Sequence, residues 1–246
     1  MNFPLYIAKR YLFSKSSNNA INIMTLIASG GVIIASAALL IVLSVFAGLK
    51  DYSLMFSSVV DPDLKITAVT GKSFLLSENN IAQLNAIDDI TSYSKIIEER
   101  IIIKSEDKNL IATLKGVDTS FLKVTNIDDM IYQGNWISPE SNDVVSGAGI
   151  SYNLSFGLFN YLKPLSIYVP KPGKGQVSSL KGAYSAAYVN NVDLFNINEE
   201  LNNEYIFSNI DLARTLLNYK ENQLSAIELK LKPNTDENLI RTQLNT

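Results

Sequence analysis

The 246-residue chain contains no cysteine and no histidine. Without cysteine no disulfide can brace it, so its stability has to come from a buried core. Without histidine it has no Ser–His or Cys–His relay and no imidazole metal ligand. Carboxylate or lysine chemistry stays open, but nothing marks such a site. The neighbouring acids Glu98 and Glu99, Asp88 and Asp89, and Asp128 and Asp129 point apart on any regular element and read as solvated acidic surface. Gly71, Lys72 and Ser73 spell the end of a phosphate-binding loop, but Ile66 stands where its first glycine belongs and Phe74, Leu75 and Leu76 follow instead of a helix. That motif is therefore rejected, and ATP-driven work would need a partner's motor.

Charge is the third absence, since none occurs between Ser16 and Leu49. The run Ile21 to Leu49 exceeds the ~20 apolar residues that cross a ~30 Å hydrocarbon core, and it exceeds the ~7–15-residue apolar core of a cleavable signal. The competing cleaved-signal reading would place Val45 and Ala47 at a peptidase site. The first twenty residues hold Lys9, Arg10, Lys15 and no acid. Positive-inside bias sets that end in the cytoplasm. The whole chain carries −3, so the residues after this +3 arm carry −6, an acidic domain outside the cytoplasm. Ala28, Gly31, Ala35 and Ala38 share one helical face, on which a second helix can approach closely, although small residues are common in any membrane helix. Phe3 to Phe13 interleaves aromatics and aliphatics with Lys9 and Arg10, which suits either an interfacial helix or a plain extension of the spanning one.

The remainder alternates strand and helix patterns. Leu64, Ile66 and Ala68 mark a half-buried strand; Ser77 caps a helix with Ile81, Leu84 and Ile87 on one face; strands follow at Ser94 to Lys104 and Leu110 to Val117. Near the other end Ile227, Leu229 and Leu231 alternate with Glu228 and Lys230, Pro233 and Asn234 stop the strand, and a helix opens at Glu237. Two β-α-β halves with a strand-rich insertion between them are the simplest architecture, with chance as the competing explanation of the repeat. A second half ending at Thr246 lacks its closing strand, so a longer polypeptide is expected. Ser208 is the expected cap of a further helix, with Asp211 at its third position and Phe207 stapled onto Leu212. After the alternation Leu165, Ile167, Val169 comes the loop Pro170 to Lys181, with three lysines, two prolines, two glycines and no acid. It reads either as a stiff cationic prong for an acidic partner or as an ordinary solvated hairpin end.

The opening YIAKRYLFSKSSNNAINIMTLIASGGVIIASAALLIVLSVFAGLKD resembles the start of the lipoprotein-releasing permeases (LolC/LolE type) of the MacB and FtsX superfamily of ABC transporters. LKGVDTSFLKV, IYQGNW, NDVVSGAGISYNLSF, LSIYVP, EYIFSNIDLARTLL and SAIELKL continue the likeness in order along the chain. The resemblance implies an α+β fold: one N-terminal transmembrane helix, then a periplasmic domain of the MacB core type, with a split β-α-β (Porter-like) part and an inserted strand-rich subdomain. In this chain the parts fall at 1–20 for the interfacial segment, 21–49 for the spanning helix, 50–115 and 207–246 for the two Porter-like halves, and 116–206 for the insertion. It further implies a non-enzymatic subunit of the bacterial inner membrane with three more spanning helices after the domain. No cofactor, metal or nucleic acid is implied. The implied partners are the membrane, a separate cytoplasmic ATPase, a second permease subunit that is identical or a sister, a periplasmic chaperone, and the lipoprotein cargo. Chaperone contact would fall on Pro170, Lys171, Pro172, Gly173, Lys174 and Lys181, and acyl-chain contact on Leu40, Leu43, Phe46 and Ala47. A MacB-like or FtsX-like relay to an efflux channel or a cell-wall hydrolase, and a single-pass anchored binding or sensor protein, are the other readings.

Overall fold

The computed structural model describes residues 3–12, 19–158, 163–171 and 184–244. Its contacts divide the chain into two units, Met1–Met55 and Phe56–Thr246.

The first unit is helical. α1 (Phe3–Leu12) carries Lys9 and Arg10 in its last turn, with Phe3, Leu5 and Tyr6 exposed. α2 (Asn19–Val60), whose last five residues belong to the second unit, contains the 28-residue stretch Ile23–Lys50, of mean hydropathy 2.7 and with none of its length buried. At 1.5 Å per residue that stretch measures about 42 Å, longer than the ~30 Å hydrocarbon core. The helix does not end at Leu49 as the apolar run does; it continues through Lys50 and Asp51 to Val60. A helix satisfies its backbone within itself, so charge need not end it.

In the second unit β1 (Leu64–Thr67), β2 (Phe74–Leu75), α3 (Glu78–Asn85), β3 (Ile90–Ser105) and β4 (Lys108–Val117) come first. Next are α4 (Phe121–Val124), β5 (Asp143–Gly147), α5 (Ala148–Leu154), β6 (Leu165–Pro170) and β7 (Tyr184–Phe195). α6 (Glu199–Glu204), β8 (Tyr205–Asn209), α7 (Ile210–Leu217), β9 (Gln223–Leu224), β10 (Ala226–Leu231) and α8 (Glu237–Leu244) complete it.

Local signals place several boundaries as the sequence predicts. Ser77 and Asn80 form a reciprocal capping box on α3. Gly71, at φ 81°, turns the chain toward β2, so no helix follows the rejected phosphate-loop match. At α7 the cap is Asn209, not Ser208: its side chain accepts a 2.7 Å hydrogen bond from the Leu212 amide. β8 pairs with β4 through Asn209, which moves the helix start by one residue. The expected staple does not form, because Phe207 and Leu212 lie in different core clusters. α8 has Asp236 at its start, accepting from the Asn238 amide at 2.9 Å.

Eight strands form one sheet in the order β1-β10-β3-β4-β8-β5-β7-β6, and β6 also pairs with β3. The extra pairing is possible because β3 is 16 residues long. One of its edges binds β10 over Ile90 to Ile96 and β6 over Ile102 to Lys104. Six strands (β3, β4, β8, β5, β7, β6) thus close into a ring, and β10 and β1 form a limb that leaves it at a fork in β3. Ser225 bridges the fork: its amide donates to the Ile96 carbonyl at 2.9 Å and its Oγ accepts from the Glu98 amide at 3.1 Å.

Each face of the sheet carries a core over part of its area. One core contains Ile97, Ile101, Ile103, Leu114, Ile167, Ile206 and the apolar side of α7. The other contains Ile96, Val117, Phe121, Phe195, Phe207 and Val60, the last residue of α2. Gly116 lets α7 approach, since a Cβ there would overlap Ala213.

Candidate functional site

The loop singled out by composition joins β6 to β7, whose antiparallel register ends at the pair Pro170 and Tyr184. Pro170 and Lys171 are exposed at the end of this hairpin. Pro172, Gly173, Lys174 and Lys181 lie outside the described residues. Beside the loop, Ile111, Ile102, Tyr168 and Ala186 occupy directly opposed positions on β4, β3, β6 and β7. Ile111 is 66% exposed, and Tyr188, on the same side of β7 as Ala186, is 70% exposed. An aromatic and aliphatic row, exposed at Ile111, Ala186 and Tyr188 and half-buried at Ile102 and Tyr168, thus crosses the strands of the hairpin.

On α2 the acyl-contact candidates Leu40, Leu43, Phe46 and Ala47 are all exposed, as are the helix-packing candidates Ala28, Gly31, Ala35 and Ala38. At 100° per residue the first set spans an arc of about 120° and the second about 80°, and the arcs adjoin. The two candidate sets therefore lie on neighbouring sides of one helix.

The most organised polar feature was not expected. Glu228, which alternates with the apolar residues of β10, is 1% exposed, because the second face of β10 is covered as well. Its Oε1 lies 2.7 Å from Lys115 Nζ and 3.7 Å from Lys65 Nζ. Lys115, 5% exposed, sits 5.0 Å from the Phe121 ring centre and 5.9 Å from that of Phe207. Both rings belong to a cluster in which Phe121 stacks on Trp136 at 6.1 Å and Phe195 meets Phe207 edge-on at 5.3 Å. The quadrupoles of the two rings supply negative potential around the buried ammonium.

Glu98 also departs from its sequence reading. Its Oε2 accepts from Lys65 at 2.8 Å and its Oε1 from the Tyr205 hydroxyl at 3.3 Å. Glu99 is likewise shielded, with Lys72 at 2.6 Å, whereas Asp88, Asp128 and Asp129 are exposed as expected. Burial alone would push the Glu98 carboxyl up, but the hydrogen bond and charge of Lys65, with Lys115 behind it, hold it below the usual value. Burial would lower Lys65, and Glu98 outweighs this and raises it. Burial and the Glu98 charge push the Tyr205 hydroxyl well above its ordinary range.

Together these contacts make a ladder across five adjacent strands: Lys65 on β1, Glu228 on β10, Glu98 on β3, Lys115 on β4 and Tyr205 on β8. Its two cations and two anions balance. Such a charge-balanced set holds strands in place, and within it Glu228 Oε2 is buried without a hydrogen-bond partner. A cavity of about 420 Å³ borders it, lined among others by Glu98, Arg100, Thr113, Glu204 and Tyr205. Among the described residues no cluster of three or more Asp or Glu residues could hold a metal ion.

The family model described as the MacB-like periplasmic core domain matches residues 25–246. The chain belongs to that family, which bears out the superfamily expected from its opening segment, with an N-terminal apolar helix leading into a mixed α/β domain of periplasmic type. It is similar to the lipoprotein-releasing system transmembrane protein LolE of Haemophilus influenzae, at 22% identity over 256 residues, covering 100% of this chain and 59% of that protein. The chain thus spans about three-fifths of the length of this curated relative. Among solved structures, the extracellular domain of the noncanonic ABC-type transporter YknZ from Gram-positive bacteria matches at 13% identity and a TM-score of 0.45, covering 71% of this chain and 80% of that one. The periplasmic region of MacB from Actinobacillus actinomycetemcomitans matches at 12% identity and a TM-score of 0.44, covering 67% and 70%.

Proposed function

We propose that this chain belongs to a permease subunit of an ABC transporter of the bacterial inner membrane, which passes lipoproteins from that membrane to a periplasmic chaperone. The observation that carries the reading is the order of parts: an exposed apolar helix of membrane length leading directly into a domain of the MacB-like family. Similarity to LolE along the whole chain favours lipoprotein release within that family. In this reading ATP hydrolysis belongs to a separate cytoplasmic subunit, and a second permease subunit packs on the Ala28, Gly31, Ala35, Ala38 face. The N-terminus is cytoplasmic, by the Lys9, Arg10 and Lys15 bias. Cargo acyl chains meet Leu40, Leu43, Phe46 and Ala47. The chaperone meets the Pro170 to Lys181 loop, supported by the row of exposed Ile111 and half-buried Ile102 and Tyr168 on the neighbouring strands. Residues 50–115 with 207–246 act as the Porter-like body and 116–206 as its insertion.

The family itself favours a second reading, in which a MacB-like or FtsX-like subunit relays the same motion to an efflux channel or a cell-wall hydrolase. Reconstitution in proteoliposomes with the cognate ATPase and chaperone separates the two. ATP-dependent appearance of lipoprotein on the soluble chaperone is expected. Retention of all lipoprotein in the vesicles, with ATP hydrolysed, would favour the relay.

A further inference from the structure

Among the described residues the sheet joins the limb of β1 and β10 to the six-stranded ring through β3 alone. On the edge of β3 that faces the limb, the β10 pairing stops at Ile96 and the β6 pairing starts at Ile102. A strand without a ladder partner on one side is where a sheet bends most easily, and here Ser225 supplies the bridging hydrogen bonds.

The two sides of this fork have different attachments. β1 follows α2 after three residues, and Asp63 fastens its start to β10 by accepting from the Leu231 amide at 2.7 Å and Lys230 Nζ at 3.2 Å. The ring carries the β6–β7 hairpin. The charge ladder spans the fork. Glu228 on the limb reaches over β3 to Lys115 on the ring, and Lys65 on the limb reaches Glu98 at the fork itself. Val60, at the end of α2, packs into the same core as Phe121 and Phe207, the rings that hold Lys115.

We propose that the Lys65, Glu98, Lys115 and Glu228 ladder is a strut that keeps limb and ring one rigid body across the fork, so that a displacement entering at the end of α2 reaches the β6–β7 hairpin instead of being lost in a bend of β3. The permease reading supplies the source of that displacement; the rigidity is a property of this domain by itself. A salt bridge at hydrogen-bond distance suits the task because its hydrogen bond weakens steeply away from the preferred distance and angle, whereas an apolar contact is non-directional and tolerates sliding. A ladder present only for stability would be replaceable by apolar side chains of similar volume without mechanical consequence.

The absence of cysteine allows clean spin labelling of the full chain at Thr67→Cys on the limb and Ala186→Cys on the ring, both exposed. The label-to-label distance distribution is recorded by pulsed electron resonance for the native ladder and for Lys115→Met/Glu228→Leu, which removes both charges and leaves neither unpaired. The expected result is an unchanged circular dichroism spectrum with a distribution at least twofold broader. Lys65→Met, at a partly exposed position, gives a second and milder break, with intermediate broadening expected even where the double variant fails to fold. Removing the Lys163–Glu106 pair at the ring's tip serves as control and leaves the width unchanged. A width unchanged in folded ladder variants would overturn the strut. Neither ATPase nor cargo is present, so failure of the strut is distinct from failure of the permease reading, which the vesicle assay decides.

Discussion

Lys115 Nζ and Glu228 Oε1 are 2.7 Å apart although their strands, β4 and β10, are separated by β3. A contact that skips a strand needs a long side chain crossing the face of the sheet. It also needs that face to be covered, here by Phe121 and Phe207, or water would compete for both charges. Buried charges are costly unless paired, so the two residues depend on each other more than on anything else nearby.

Lys115→Met alone is therefore expected to destabilise the folded domain by about 3 kcal/mol, because it leaves the buried Glu228 carboxylate with Lys65, at 3.7 Å, as its nearest cation. Adding Glu228→Leu should recover most of the loss, since replacing a whole buried pair by apolar residues is often close to neutral. Urea denaturation of the two variants and the parent checks both statements.

The Lys65–Glu98 pair predicts a stability window. Glu98 is depressed in the fold, so its contribution is present above its unfolded value of about 4.5 and is lost as the pH falls through the lower folded value. Lys65 is raised, so its contribution is complete below 10.5 and is lost as the pH rises through the folded value. With side chains 38% and 23% exposed, solvent screening limits the pair to about 1 kcal/mol or less. Denaturation midpoints measured from pH 3 to 11 should be flat between these limits, and Lys65→Met should remove this pair's share of the fall at both ends.

Gly147 ends β5 where α6 passes so closely that a Cβ would overlap the Asn202 carbonyl group. Backbone cannot step aside as a side chain can, so Gly147→Ala is expected to cost roughly 2–3 kcal/mol. Gly30→Ala on α2, where nothing lies within 4 Å, should leave stability unchanged or slightly raised. Melting curves of the two alanine variants make the comparison.

Charge reversal at the loop, Lys171→Glu with Lys174→Glu, is expected to weaken capture of the purified periplasmic chaperone about tenfold at low salt, with the difference shrinking as ionic strength rises. Surface plasmon resonance at several salt concentrations reads this. Equal affinity for the double variant and the parent would remove the loop from the interface.

Photocrosslinking residues placed at Leu40, Leu43, Phe46 and Ala47 are expected to label lipoprotein as well as bulk lipid in native membranes. Labelling by lipid alone would count against acyl-chain contact on this side of α2.

The sequence by itself determined the features whose cause is local. The charge-free run up to Leu49 dictates a membrane-length helix through backbone geometry and hydropathy; Ser77 announces the start of α3 because a cap and its amides lie within one turn; the alternation Leu165, Ile167, Val169 specifies the inner face of β6. Where two neighbouring residues were both good caps, Ser208 and Asn209, the sequence was one residue off, because pairing with β4 decided where β8 ended. Only the tertiary structure decided that β3 forks and that Glu228 is buried. It also paired Glu98 with Tyr205, 107 residues away along the chain. Strand alternation specifies which residues share a face, but it cannot tell whether that face meets water or a second core, nor which distant charge lies opposite. Those outcomes follow from packing across the whole sheet, where burial makes each charge's partner obligatory.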